Sequence, residues 1–260
     1  MDEQAINRIA DQLYAALRQR TVMAPLTDSH PDISISDAYA ISLQMLQHRL
    51  EAGERVVGKK IGVTSAAVMD MLNVRQPDFG FLTDAMYFQS EMPVSQLLIQ
   101  PRAEGELAFR LRDTLQGPGV TEADVVAATE AVFPCFEVVD SRIEDWRIRI
   151  QDTVADNASC GLFTYNDTVP IDPGTTDLSA LTMEIEKNGA LISTGLGAAA
   201  MGNPATCVAW LANTLGEFGI SLDAGDIVLS GSLVPLEPVE AGDVMTVRIV
   251  GIGDCTVHFT

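Results

Sequence analysis

The chain has 260 residues, 47% hydrophobic and 20% charged, which supplies a packed core and excludes disorder. Sixteen Lys+Arg against 36 Asp+Glu leave a net charge of −20, which excludes a nucleic-acid surface and disfavours an anionic membrane. Residues 1–20 are charged throughout and do not read as a signal peptide, and no stretch reaches the roughly 20 apolar residues that span a bilayer. Cys135, Cys160, Cys207 and Cys255 are widely spaced, so free thiols in a cytoplasmic protein are expected.

In chain order, Ile6, Ile9, Ala10, Leu13, Tyr14 and Leu17 recur with helical spacing and predict a first amphipathic helix. A second is predicted from about Ser36, with the stripe Tyr39, Leu43, Leu46, Leu50 and a stop at Gly53. Residues 1–53 thus form a helical layer ahead of a β-rich unit over 54–260. Arg55–Val63 reads as a strand, Ser65–Leu72 as a short capped helix, and Gln76–Gly80 (QPDFG) as a loop. Ile99–Arg112 alternates with period two. Thr121–Asp124 resembles a capping box ahead of a helix to about Val132, and Phe133–Asp140 is a further apolar run. Asn203 and Pro204 open one late helix with a buried face of Val208, Leu211, Leu215 and Phe218. Two Ala-Gly-Asp turns each feed a strand. The fold class is α+β with a mostly β core.

Alternation along Pro101–Phe109 (PRAEGELAF) sends Glu104 and Glu106 to one strand face and Leu107 and Phe109 to the other. Two carboxylates so placed, roughly 7 Å apart at Cα, mark either a solvated edge face or a cation site. Glu137 lies inside an apolar run, where a carboxylate needs a partner, either Arg102 or Arg142 or a shared hard cation. Three carboxylates without a neighbouring His or Cys favour Mg²⁺ or Mn²⁺. Lys59 and Lys60 share an apolar strand, so one of them points inward, for a salt bridge or for acid/base work. Asp78 is either a turn residue or a general acid/base. Asp152–Gly161 (DTVADNASCG) is a turn or a loop of hydroxyl and amide donors. Cys160 has no His or cation beside it and does not read as a nucleophile.

The stretches VVGKKIGVTS, QPDFGFLTDAM, QPRAEGELAF, CFEVVDSRIEDW, DTVADNASCG and GDIVLSGSL run in order through nearly the whole chain. On them the chain resembles the 2-oxopent-4-enoate (2-hydroxypenta-2,4-dienoate) hydratases, within the fumarylacetoacetate-hydrolase-like fold. The resemblance implies a mixed β-roll behind the N-terminal helices, with Glu104, Glu106 and Glu137 as metal ligands. It also implies Lys60 and Asp78 as catalytic groups and Ser159 as a substrate contact. Implied too are a 2-oxo/2-hydroxy dienoate substrate, a place in the cytoplasmic meta-cleavage of aromatics, homo-oligomers, and association with 4-oxalocrotonate decarboxylase. The alternative activity is that sister decarboxylase, in which an apolar residue stands where this chain has Asp78. A C–C hydrolase is disfavoured because no His falls in a matched stretch. An idle subunit is disfavoured because all three glutamates are present.

Overall fold

The computed structural model describes residues 1–65, 69–70 and 76–260, so the helix expected over Ser65–Leu72 falls largely outside the described residues. Among these the helices are α1 (Glu3–Gln19), α2 (Leu26–Ser29), α3 (Ile35–Glu51), α4 (Val94–Leu97), α5 (Glu122–Ala128), α6 (Ile150–Ala155) and α7 (Pro204–Gly216). Asp2 caps α1 by accepting the Ala5 N–H, and Ser34 with Asp37 forms a capping box on α3. The α3 stripe differs from expectation. Ala38, Tyr39, Ile41, Ser42, Met45 and Arg49 are buried, whereas Leu50 is exposed. The helix packs on both α1 and α6, and two contact surfaces select a different arc from the one that Leu spacing alone suggests.

The first sheet takes β1 (Val56–Gly62), β2 (Asp78–Thr83), β4 (Arg102–Leu111), β5 (Thr129–Val139), β6 (Cys160–Tyr165), β9 (Ile227–Leu229) and β10 (Glu237–Pro238). Its order is β2-β1-β9-β4-β5-β6, with β10 also on β4. The second takes β3 (Glu91–Met92), β7 (Thr182–Lys187), β8 (Ala190–Leu196), β11 (Val244–Ile249) and β12 (Gly253–Phe259), in the order β3-β12-β11-β7-β8. Both are mixed sheets, and the class is α+β. One apolar core runs from Ile9 and Leu13 through Leu107 and Phe109 to Val247. Beside Gly58 the parallel neighbour β9 comes so near that a Cβ would collide with the Ile227 carbonyl.

Two element readings are corrected. QPDFG is not all loop, because β2 begins at Asp78, paired with Gly62. Phe79 stacks on Tyr39 at 4.1 Å, and the burial of Phe79, Phe81 and Leu82 overrides the Pro/Gly turn signal. Helix α5 stops at Ala128 rather than near Val132. The β-branched Thr129 and Val132 and the aromatic Phe133 are drawn into the ladder with β4. Phe218 lies past the end of α7 and is partly exposed, its ring set edge-on to Tyr39 and Phe79.

A buried charge cluster fixes the connection from β5 to β6. Arg142 donates from Nε to Asp156 Oδ1 (2.5 Å) and from its backbone N–H to Oδ2 (2.8 Å), while Asp140 lies 3.8 Å away. Asp140 in turn accepts the N–H groups of Ile99 and Gln100. Burial pushes Asp156 up to about 6 despite the pull of Arg142. Replacing Arg142 by Met strands two buried carboxylates, so urea denaturation of the variant is expected to show a loss of about 3–5 kcal/mol. That deficit narrows as pH is lowered, because the folded form then gains by protonating Asp156 more readily than the unfolded chain does.

Candidate active site

Strands β4 and β5 bring the three glutamates together. Glu104 sits directly opposite Glu137 across the ladder, and Glu106 follows two residues on, on the same face. Neither is on an edge, since β4 lies between β9 and β5, so the solvated-face reading of Glu-x-Glu is excluded. Glu106 and Glu137 are fully buried and Glu104 is 6% exposed. Carboxylate oxygens of all three lie within 4.8 Å of one another. Glu106 Oε2 accepts the Gly231 N–H at 2.8 Å, but among the described residues its Oε1 and Glu137 Oε2 have no hydrogen-bond donor, and Glu137 Oε1 has only the Lys60 ammonium beside it.

Burial and then the neighbouring Glu137 charge push Glu104 up to about 8. Glu106 is raised further by burial and by Glu104. Burial also raises Glu137, against the pull of Lys60. Such a group wants a cation, and the donor set of hard oxygens fits Mg²⁺ or Mn²⁺. The unpaired buried oxygens are what make the fit, for they are free to bind.

Lys60 answers part of this charge. Its Nζ lies 3.3 Å from Glu137 Oε1. Burial alone would favour loss of its proton, but Glu137 and Asp78 outweigh burial and hold the ammonium above its ordinary value. Neither Arg102 nor Arg142 pairs with Glu137: Arg102 lies over the Trp146 ring and Arg142 is engaged by Asp156. Lys59 corrects the expectation that only one of the two lysines points inward. It is buried on the opposite strand face, where Asp226 takes it at 2.5 Å.

Asp78, 1% exposed at the start of β2, lies across the same cleft from Glu104. Burial raises its carboxyl, opposed by Lys60 and Thr153. Thr153 Oγ1 donates to Asp78 Oδ2 at 3.4 Å and lies 3.1 Å from Ser159 Oγ. The 152–161 segment therefore divides its labour. Asp152 accepts from Thr27, Asp156 from Arg142, and Asn157 both accepts the Phe81 N–H and donates to the Phe81 carbonyl. Those contacts fasten the segment while Thr153 and Ser159 face the cleft. Asn157, Ala158 and Ser159 all adopt left-handed φ values near +50°, a strained run sustained by these fasteners.

Two residues that the sequence reading did not single out belong to the site. Thr153 bridges Asp78 and Ser159. Gly231 brings its N–H to Glu106. A side chain at Gly231 would run into Thr64, and its φ is +91°. The Ser-Gly-Ser after β9 was the available signal, but nothing local ties it to a strand more than 100 residues away. Cys160 is buried and pushed well up, as its reading implied. His30, His48 and His258 do not line the cleft. Val63, Val139, Trp146 and Leu236 form its apolar side.

Comparison with known proteins agrees with this geometry. The fumarylacetoacetate (FAA) hydrolase C-terminal family matches residues 57–260. A 2-hydroxyhexa-2,4-dienoate hydratase from Comamonas testosteroni is 58% identical, the alignment covering 100% of this chain and 99% of that one. A 2-hydroxypent-2,4-dienoate hydratase from Pseudomonas putida is 64% identical over 85% of this chain and 100% of its own. Among solved structures, the 4-oxalocrotonate decarboxylase of Pseudomonas putida G7, complexed with magnesium and adipate, superposes with a TM-score of 0.94. It shares 32% identity and covers 100% of this chain and 99% of its own. With the sheet order, the glutamate triad and these end-to-end matches in agreement, the chain belongs to the hydratase/decarboxylase family of the fumarylacetoacetate-hydrolase fold.

Proposed function

We propose that the protein is a metal-assisted hydro-lyase of the cytoplasmic meta-cleavage route. It adds water to 2-hydroxypenta-2,4-dienoate (2-oxopent-4-enoate) and releases 4-hydroxy-2-oxopentanoate. The reading is carried by one coincidence. In a chain 58% identical throughout to a dienoate hydratase, a buried carboxylate triad with unpaired oxygens presents Glu104 to a cleft lined also by a lysine and a fourth carboxylate.

The substrate must gain a proton at C5 and lose its enol proton, leaving a 2-oxo-3-enoate. Water then gives oxygen to C4 and a proton to C3. Glu104, Glu106 and Glu137 would hold Mg²⁺ or Mn²⁺, which when bound supplies a Lewis acid and a template for the 2-oxo-acid end. Lys60, kept protonated by Glu137 and Asp78, offsets negative charge developing on the 2-oxygen. Asp78 takes up and returns the mobile proton or orients the water. Its raised carboxyl suits that task better than an ordinary aspartate would. Ser159 contacts the substrate, and Thr153 couples it to Asp78. The enzyme works as a homo-oligomer and associates with 4-oxalocrotonate decarboxylase, whose product is its substrate.

The close backbone match to that decarboxylase favours decarboxylation as the second reading. Against it stands Asp78, since loss of CO₂ needs an electron sink and no group that handles water. Mass spectrometry of 2-hydroxypenta-2,4-dienoate separates the two. A metal-dependent gain of one water is expected, whereas an unchanged dienoate, from enzyme that releases CO₂ from 2-oxohex-3-enedioate, would overturn the hydratase.

Two further outcomes are expected. Glu106→Gln loses metal binding and turnover together, whereas Asp78→Asn binds metal normally and loses about 10²–10⁴-fold in kcat; an active Asp78→Asn enzyme would remove the proton role. Because Glu104 is raised to about 8, the metal-free site carries a proton at pH 7 that the cation must displace. Calorimetric titration with Mg²⁺ in buffers of different ionisation enthalpy should therefore detect proton release, with affinity falling as pH is lowered.

A further inference from the structure

From Asn188 to Gly216 the sequence has no Asp, Glu, Lys or Arg, in a chain that is 20% charged and carries −20. Burial accounts for the second half of that run, because α7 packs most of its residues into the core. It does not account for the first half. Strand β8 is largely exposed, with Leu191 57%, Ile192 42% and Leu196 54% accessible. Among the described residues it is also an edge strand, paired only with β7. At the Leu196 end the β11–β12 turn adds Val250 and Ile252, also exposed; the Val250 N–H donates to Thr182, which is the ladder partner of Leu196. These five are half of the large apolar side chains exposed among the described residues. Soluble proteins usually guard such an edge with lysine, proline or an inward-pointing charge, and β8 has none of these.

We propose that the β8 edge, with Leu191, Ile192, Leu196, Val250 and Ile252, is the surface on which a second copy of this chain docks. The pairing is antiparallel, β8 on β8, about a two-fold axis, and it joins two five-stranded sheets into one. Charge decides the occupant. Two copies at −20 repel over most of their surfaces, and they approach closely only where both are uncharged. A two-fold contact sets this same uncharged strip against itself and satisfies its free backbone groups as it does so. A basic partner would be drawn to the acidic remainder of the surface instead. The proposal names the interface behind the homo-oligomer proposed above, and it shares only that assembly with the functional reading.

Sedimentation velocity at micromolar concentration tests it on the intact protein. The wild type is expected to run as a dimer or a larger even assembly of the 27.9 kDa chain. Leu191→Lys with Leu196→Lys places like charges against one another and should weaken self-association at least tenfold, with the mass falling by half or more. Circular dichroism and the unfolding midpoint report whether the double variant is folded. Amide exchange in the unmutated protein gives an independent reading, in which protection of residues 190–196 should rise with protein concentration. A monomeric wild type, a folded double variant of wild-type mass, or exchange in β8 that ignores concentration would each overturn the proposal. Dienoate hydration is assayed separately: a dimer without hydratase activity sinks the proposed reaction and leaves the interface standing, whereas an active monomer sinks the interface and the homo-oligomer with it and leaves the proposed reaction standing.

Discussion

Three glutamates packed against one another on adjacent strands repel, and burial denies them the water that would screen the repulsion. Much of the surrounding structure is arranged around that demand. Lys60 sits against Glu137 and the Gly231 N–H reaches Glu106, yet Glu106 Oε1 and Glu137 Oε2 remain without a donor among the described residues. A cluster so incompletely satisfied is unfavourable as pure architecture. It becomes sensible as half of a coordination site, where the missing partner is a dication. The strain of the left-handed run at 157–159 belongs to the same economy, because it sets Ser159 beside Thr153 and hence beside Asp78.

The parts of the site visible in the sequence were those whose cost could be read locally. Glu137 between Phe136 and Val138 demands a partner wherever the strand goes, and alternation alone puts Glu104 and Glu106 on one face. Asp78 was ambiguous because the pull that draws it out of a turn and into β2 is tertiary, the stacking of Phe79 on Tyr39 from a helix some forty residues earlier. Thr153 and Gly231 carried no local signal, since each matters only through a partner far away in sequence. Element boundaries failed for a related reason. The capping box that starts α5 is local, whereas its end at Ala128 is imposed by the ladder with β4.

The segment 152–161 shows how a dense polar motif misleads when read as a unit. Read as a loop of hydroxyl and amide donors, it offers its asparagine equally with its hydroxyls, yet the aspartates and Asn157 serve as fasteners to Thr27, Arg142 and Phe81, and the hydroxyls of Thr153 and Ser159 are the polar groups that face the cleft. The buried Arg142 cluster is thus mechanical in role while lying one turn of chain from the chemistry. Such a division lets the hydroxyls be placed to within a rotamer without having to carry the load of the fold.

The neighbouring lysines of β1 raise a question of alignment. Each meets an acid on its own side of the sheet, Lys60 at Glu137 and Lys59 at Asp226. A slip of β1 by one residue along its neighbours would hand one acid the other lysine and leave the acid on the opposite side unpaired, so charge pairing forfeits only one of its two contacts to the nearest misalignment. Steric exclusion supplies what charge lacks. Only a residue without a side chain passes the Ile227 carbonyl, and a slip would bring Val57 or Lys59 there in place of Gly58. The lysine that faces the glutamates is therefore selected by a position that touches none of them, and proofreading of the site is done by the one residue in the strand's first half that offers no group to bind anything.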